Sequence, residues 1–184
     1  MDTSETGLEK IIVDWLRDKN GYEQATPHDY NKTFALVESW VERFVTATQP
    51  DKVKESMCFA SPSERLKFFT RLSGEIGKRG VVDVLRKGYK FNGNTFDLYY
   101  PIPSQLNPSA KAAYKQNIFG VIRQVMYSTQ NTNEIDFVVF INGLPLATFE
   151  LKNSYTGQTY ENAIKQCQTE RDSKDLLLQK KRCA

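Results

Sequence analysis

The chain has 184 residues, 40% apolar and 26% charged, which is ordinary for a globular protein and enough for one domain with a sizeable core over 1–184. A net charge of +3 permits nucleic-acid binding without arguing for it, and a single histidine, His28, excludes a His-cluster metal site and speaks against a His-based triad. Cys58, Cys167 and Cys183 are odd in number and lack metal spacing. With no apolar run near ~18 residues and no signal-peptide core, they predict a soluble, cytoplasmic protein with no membrane partner.

The first part, 1–88, reads as mainly helical. Thr3 or Ser4 can cap a helix whose Leu8, Ile11, Ile12, Trp15 and Leu16 fall at helical spacing, with Asn20-Gly21 as its stop. Tyr22 to Tyr30 reads as an extended link broken by Pro27. Phe34, Val37, Trp40, Val41 and Phe44 make a second amphipathic helix, and Pro50-Asp51 opens a short third. Ser61-Pro62-Ser63-Glu64 is a helix start ahead of Leu66, Phe69, Leu72 and Ile76, and Val81 to Arg86 adds a further turn or two. These aromatic stripes are assigned to packing.

From 89 to 172 the pattern changes to a sheet core. Asn92-Gly93-Asn94 between Tyr89-Lys90-Phe91 and Thr95 to Tyr100 is a hairpin signal, with Asp97 as an edge or loop-facing charge. Pro101 to Ser109 is a turn-rich connection. Asn117 to Tyr127 alternates as a strand in which Arg123 or Gln124 could face a ligand. Thr159 can cap a helix carrying Tyr160, Ala163, Ile164 and Cys167, and a tail over 173–184 ends in Lys180-Lys181-Arg182, read as a solvated basic run.

The stretch Asn133–Lys152 is the one that carries chemistry. Ile135 to Ile141 is nearly all β-branched or aromatic, as a strand buried on both faces should be, and Leu144 to Leu151 is a second apolar run beyond Asn142-Gly143. Buried strands rarely carry charge, yet this hairpin holds Asp136, Glu150 and Lys152. Glu150 and Lys152, two apart, share a face. Glu-x-Lys alone arises by chance in a chain this long about as often as not, and a surface salt bridge is its plain reading. Placement of all three charges on one apolar hairpin is what chance does not readily supply. A strict two-residue hairpin would pair Asp136 with Phe149 and separate it from Glu150 and Lys152. An odd-length loop or a bulge between Phe140 and Thr148 is therefore expected, with Pro145 a reasonable place for it.

Asp followed by a loop and Glu-x-Lys on the next strand resembles the PD-(D/E)xK nuclease superfamily. The words Phe140-Ile141-Asn142-Gly143-Leu144-Pro145-Leu146 and Phe149-Glu150-Leu151-Lys152-Asn153 resemble the N-terminal nuclease domain of the type I restriction-modification enzyme R (restriction) subunit. Thr6 to Ile12 and Asn117 to Met126 resemble the same family's first helix and the strand before the Asp. Ile135 stands where that family usually has a Pro, a residue that shapes backbone and is no ligand.

The resemblance implies an α/β (α+β) fold with a restriction-endonuclease-like core, a mixed β-sheet flanked by helices behind an N-terminal helical part. It implies catalysis by Asp136, Glu150 and Lys152, with Mg2+ held by Asp136, Glu150 and the Leu151 carbonyl. A first-helix Glu approaches the metal in several nucleases of the superfamily, which makes Glu9 a further candidate. The family's helix Gln falls on Gln166, or on Gln168 if the register slips, while Glu170 stands where a Tyr would follow. Lys152 would orient or deprotonate a water, or stabilise the transition state. The implied partners are duplex DNA and the modification and specificity subunits of a restriction-modification complex. ATP would be needed only by a motor region, since no G-x-x-x-x-G-K-[ST] loop occurs here. Two other readings stay open: another nuclease of the superfamily, for example in DNA repair, and a non-catalytic DNA-contact or subunit-docking module.

Overall fold

A computed structural model describes residues 5–103, 107–152, 160–165, 174–179 and 182–183. Its centre is a mixed four-stranded sheet in the order β1 (Glu23–Ala25), β4 (Phe119–Met126), β5 (Glu134–Ile141), β6 (Leu144–Phe149). The short β1 runs parallel to β4, and the other pairings are antiparallel. A small second sheet is the hairpin of β2 (Tyr89–Phe91) and β3 (Asn94–Phe96), turned by Asn92 and Gly93 at φ of 44° and 82°. This is the mixed α/β arrangement expected of a restriction-endonuclease-like core.

β5 is apolar on both faces because both are covered. On one side α1 (Glu5–Asn20) lays Val13 against Val121, Phe137 and Val139. On the other, Ile122, Val138 and Phe140 meet the main core, built with α2 (Glu38–Thr48), α3 (Pro50–Ser56), α4 (Pro62–Arg79) and α5 (Val81–Lys87). Trp40 lies so close over β4 that a Cβ at Gly120 would come within 2.2 Å of its ring. Phe68 gathers the second sheet, its ring 5.2 to 5.5 Å from Tyr89, Phe91 and Phe96. Edge-to-face packing of this kind adds about 0.5–1.5 kcal/mol per pair beyond area burial. The Ser61 hydroxyl caps α4 by accepting from the Glu64 N–H at 3.2 Å, with Pro62 at the first helical position.

Several expectations are corrected. The buried row of α1 is Glu9, Val13 and, in part, Ile12 and Leu16, whereas Leu8, Ile11 and Trp15 are exposed. The link after α1 contains the parallel edge strand β1 and a 3-10 turn at Pro27–Asp29, where Asp29 Oδ2 accepts from both the N–H and the hydroxyl of Thr26. The connection after Pro101 holds a helix, α6 (Pro108–Tyr114), capped by Asn107 whose Oδ1 accepts from the Ala110 N–H. The tail carries a 3-10 turn at Leu176–Leu178 with Leu177 in the core.

Arg182 is 2% exposed, not solvated: its guanidinium donates to the Phe34 carbonyl and to the carbonyl and hydroxyl of Ser73. Main-chain carbonyls, rather than an acid, recruit that charge inward. Asp97 is exposed beside Lys52, as expected of a charge without a second acid. A short helix, α7 (Tyr160–Lys165), follows the β5–β6 hairpin in sequence. No helix among the described residues is long and apolar enough to cross a membrane.

Candidate active site

The hairpin of β5 and β6 is closed by Asn142 and Gly143 at φ of 50° and 84°, so Ile141 pairs with Leu144 and Phe140 with Pro145. The register then shifts. Val139 pairs with Ala147, Val138 with Thr148 and Phe137 with Phe149, which leaves Leu146 as the extra residue of a β-bulge. The loop is thus two residues, and the irregularity is the bulge, next to Pro145. Phe137 and Phe149 stack with centroids 4.5 Å apart and planes 7° apart, which fixes them on one face. Continuing that register by one residue sets Asp136 opposite Glu150, on the other face.

Two contacts bind this end together. The Leu151 N–H donates to Asp136 Oδ2 at 2.5 Å, and Lys152 Nζ donates to Glu150 Oε1 at 3.3 Å. Glu150 and Lys152 are each only 14% exposed at the side chain. Asp136 and the Glu150–Lys152 pair are thus linked through the Leu151 amide where β6 leaves the sheet. Leu151 reaches Asp136 through its amide N–H, which leaves its carbonyl uninvolved in that contact.

Among the described residues no group of three or more His, Cys, Asp or Glu gathers to hold a metal. What the hairpin offers is two carboxylates in adjacent register, all hard oxygen. That donor set suits Mg2+, which keeps several waters and takes one or two carboxylates plus substrate phosphate.

Glu9 is 3% exposed and its Oε1 accepts from Arg123 Nε at 2.7 Å. This contact holds the guanidinium above its usual pKa. Arg123 pairs with Phe137, so the Glu9–Arg123 bridge lies on the Phe137 side of the sheet, and the Glu9 carboxylate is engaged in joining α1 to β4. Gln124, the other expected ligand-facing residue, is exposed and stands on β4 between the pairs Arg123–Phe137 and Val125–Ile135, hence opposite Asp136. Its φ of 49° is left-handed, unusual for a non-glycine residue inside a strand. Gln166, with Gln168 and Glu170, lies outside the described residues.

Sequence reasoning took Asn142 only for its turn conformation. The residue is fully buried: its Oδ1 accepts from the Ile118 N–H at 2.6 Å, and its Nδ2 donates to the Leu98 carbonyl and Asn117 Oδ1 at 2.9 and 3.0 Å. It ties the hairpin turn to the start of β4. Gly143 beside it is equally constrained, since a Cβ there would stand 2.4 Å from the Val37 carbonyl oxygen.

Comparison with protein families matches residues 2–182 to the family described as type I restriction enzyme R protein N terminus. Comparison with curated proteins and with solved structures returns no match. The match spans the helical part, the bulged hairpin and the buried Arg182, and the chain therefore belongs to the type I restriction enzyme R protein N-terminal family.

Proposed function

We propose that this domain is the metal-dependent endonuclease of a type I restriction enzyme R subunit, hydrolysing phosphodiester bonds of duplex DNA without reading sequence itself. The observation that carries this is the bulge that pairs Phe137 with Phe149, so that the next residues, Asp136 and Glu150, fall on the other face together, with the Leu151 amide on Asp136 and Lys152 on Glu150. A supporting feature is the family membership, which brings duplex DNA and a restriction-modification complex with modification and specificity subunits as the working context. A cytoplasmic location accords with that context. ATP belongs to a motor region of the complex.

In this reading Asp136 and Glu150 hold Mg2+, with the Leu151 carbonyl as a further oxygen. The ion, when bound, lowers the pKa of a water and screens phosphate charge. The chain's own part is positional. The Leu151 amide fixes one oxygen of Asp136, Oδ2. Lys152, kept close by Glu150, supplies a cation where negative charge grows on the phosphate. Gln166 is retained as a supporting residue.

The test is plasmid cleavage by the complete assembly with Mg2+ and ATP. Asp136→Ala, Glu150→Ala and Lys152→Ala should each reduce cleavage by at least ~100-fold, and double variants should lose little more, because groups acting as a unit are not additive. A Lys152→Ala enzyme cutting at near wild-type rate would sink the assignment.

A further inference from the structure

The positive charge of this chain is concentrated in one place. Between Arg71 and Lys90 stand six cations (Arg71, Lys78, Arg79, Arg86, Lys87 and Lys90) and two acids (Glu75 and Asp83), a local charge of +4 against +3 for the whole chain. The remainder of the chain is therefore net −1.

This segment is also concave. Two adjoining cavities of about 450 and 510 Å³ lie along α4, α5 and β2, with Arg79, Asp83 and Lys87 lining both. The acids are already engaged. Asp83 pairs with Arg79 at 2.7 Å and Lys87 at 2.5 Å, and Glu75 lies 3.6 Å from Lys78 and 3.7 Å from Arg79. Arg79 further donates to the Gly88 carbonyl at 3.1 Å, bracing the wall between the cavities. Arg71, Arg86 and Lys90 are exposed and form no ion pair among the described residues. They come from three different elements: Arg71 from α4, Arg86 from α5 and Lys90 from β2.

Unpaired cations spread along an open trough, rather than converging on one buried point, suit a polyanion with regularly spaced charges. Arginine and lysine contacts to phosphates supply most of the sequence-independent affinity for nucleic acid. One wall of the trough, α5, also touches the β5–β6 hairpin from its other side. The inner side of α5 (Val81, Val84 and Leu85) is buried in the main core, and α5 packs against β6, the strand that leads to Glu150. We infer that the trough of α4, α5 and β2 is a docking surface for the sugar-phosphate backbone of duplex DNA. The choice of duplex DNA among polyanions rests on the nuclease reading above.

The experiment measures binding of the full chain to a short fluorescein-labelled duplex by anisotropy across a salt series. Arg71→Glu with Lys90→Glu should weaken binding at least ~10-fold at low salt and reduce the slope of log K against log salt by about 2. The milder pair Arg71→Gln with Lys90→Gln, made at the same exposed positions, should move both readouts the same way at unchanged melting temperature. A control, Lys19→Glu with Lys111→Glu, changes net charge equally at exposed sites outside the trough and should leave the slope near wild type. An equal loss in control and trough variants overturns the proposal, as does a wild-type chain that shows no salt-dependent binding. The two claims fail separately: trough variants that keep the wild-type slope overturn the docking surface, whereas an Asp136→Asn complete assembly that still cuts overturns the nuclease reading alone.

Discussion

Leu151 and Asp136 are joined by a backbone-to-carboxylate hydrogen bond of 2.5 Å that spans the open end of the β5–β6 hairpin. The candidate acid is thereby fixed to the Glu150–Leu151 peptide, one residue before Lys152. A site of this kind needs its groups held to fractions of an ångström, and one amide contributes to that for all three.

This contact separates two variants of one residue. Asp136→Asn retains an oxygen that can accept from the Leu151 N–H, so it should melt close to wild type. Asp136→Ala leaves that part-buried N–H without its acceptor and should lose about 1–2 kcal/mol, roughly 2–8 °C for a chain of this size. Both should lose cleavage, because both lose the negative charge. Thermal melts and plasmid cleavage check it, and an Asn variant that still cuts would remove Asp136 from the mechanism.

The bulge permits a register test. One alanine inserted between Thr148 and Phe149 leaves every pair from Ile141–Leu144 to Val138–Thr148 in place. It sets Phe149 opposite Asp136 and carries Glu150 to the level of Ile135. Cleavage should fall by at least ~100-fold, because the carboxylates no longer share a face, while the cooperative melt persists. Deleting Leu146 instead removes the extra residue and keeps Ala147 opposite Val139, so Asp136 stays opposite Glu150. That variant should remain far more active than the insertion, and equal activity of the two would refute the register.

Two residues at left-handed φ should respond in opposite directions to the same change. Gln124 at φ 49° is exposed, and its side chain forms no hydrogen bond among the described residues. Gln124→Gly should therefore stabilise, since relief of about 1–2 kcal/mol of backbone strain exceeds the ~0.5–1 kcal/mol entropic cost of glycine. Asn142 at φ 50° makes three side-chain hydrogen bonds in a fully buried setting. Asn142→Gly relieves the same strain but orphans the Ile118 N–H and the Leu98 carbonyl, and should cost about 2–4 kcal/mol. Denaturant titrations of both variants decide it.

The local parts of this fold were legible in the sequence, and the non-local ones were not. Helix starts such as Ser61-Pro62 and the turns at Asn92-Gly93 and Asn142-Gly143 are written in a few adjacent residues, so pattern reading finds them. The need for a bulge was legible too, because counting residues back from the turn put Asp136 beside Phe149. The inward face of α1 was misread because Glu9 looks like a surface residue until Arg123, 114 positions away, supplies its partner. β1 was missed since three residues on a sheet edge carry little pattern of their own, and its order comes from pairing with β4. Arg182 was hidden the same way: its partners are the carbonyls of Phe34 and Ser73, which no side-chain pattern advertises.

That buried arginine gives the last prediction. Arg182 holds the end of the chain against Phe34 and Ser73, and burial drives its pKa down. Its neighbour Cys183 has its thiol pushed up to about 11, chiefly by burial, with Arg182 pulling in the other direction. Only the thiolate reacts with a disulfide reagent, so at pH 8 Cys183 should react about 100-fold more slowly than an ordinary thiol of pKa near 9. Arg182→Ala removes three hydrogen bonds and leaves a cavity, at a cost of about 2–4 kcal/mol. The direction of the rate change then distinguishes two states of the tail. If the segment is released, Cys183 regains water and its reaction accelerates toward that of an ordinary thiol. If the segment stays in place, loss of the nearby cation raises the thiol pKa further and the reaction slows. We expect acceleration, measured on a Cys58→Ser, Cys167→Ser background so that only Cys183 reacts, and a slower reaction in Arg182→Ala would show that Leu177 and its neighbours hold the tail without the arginine.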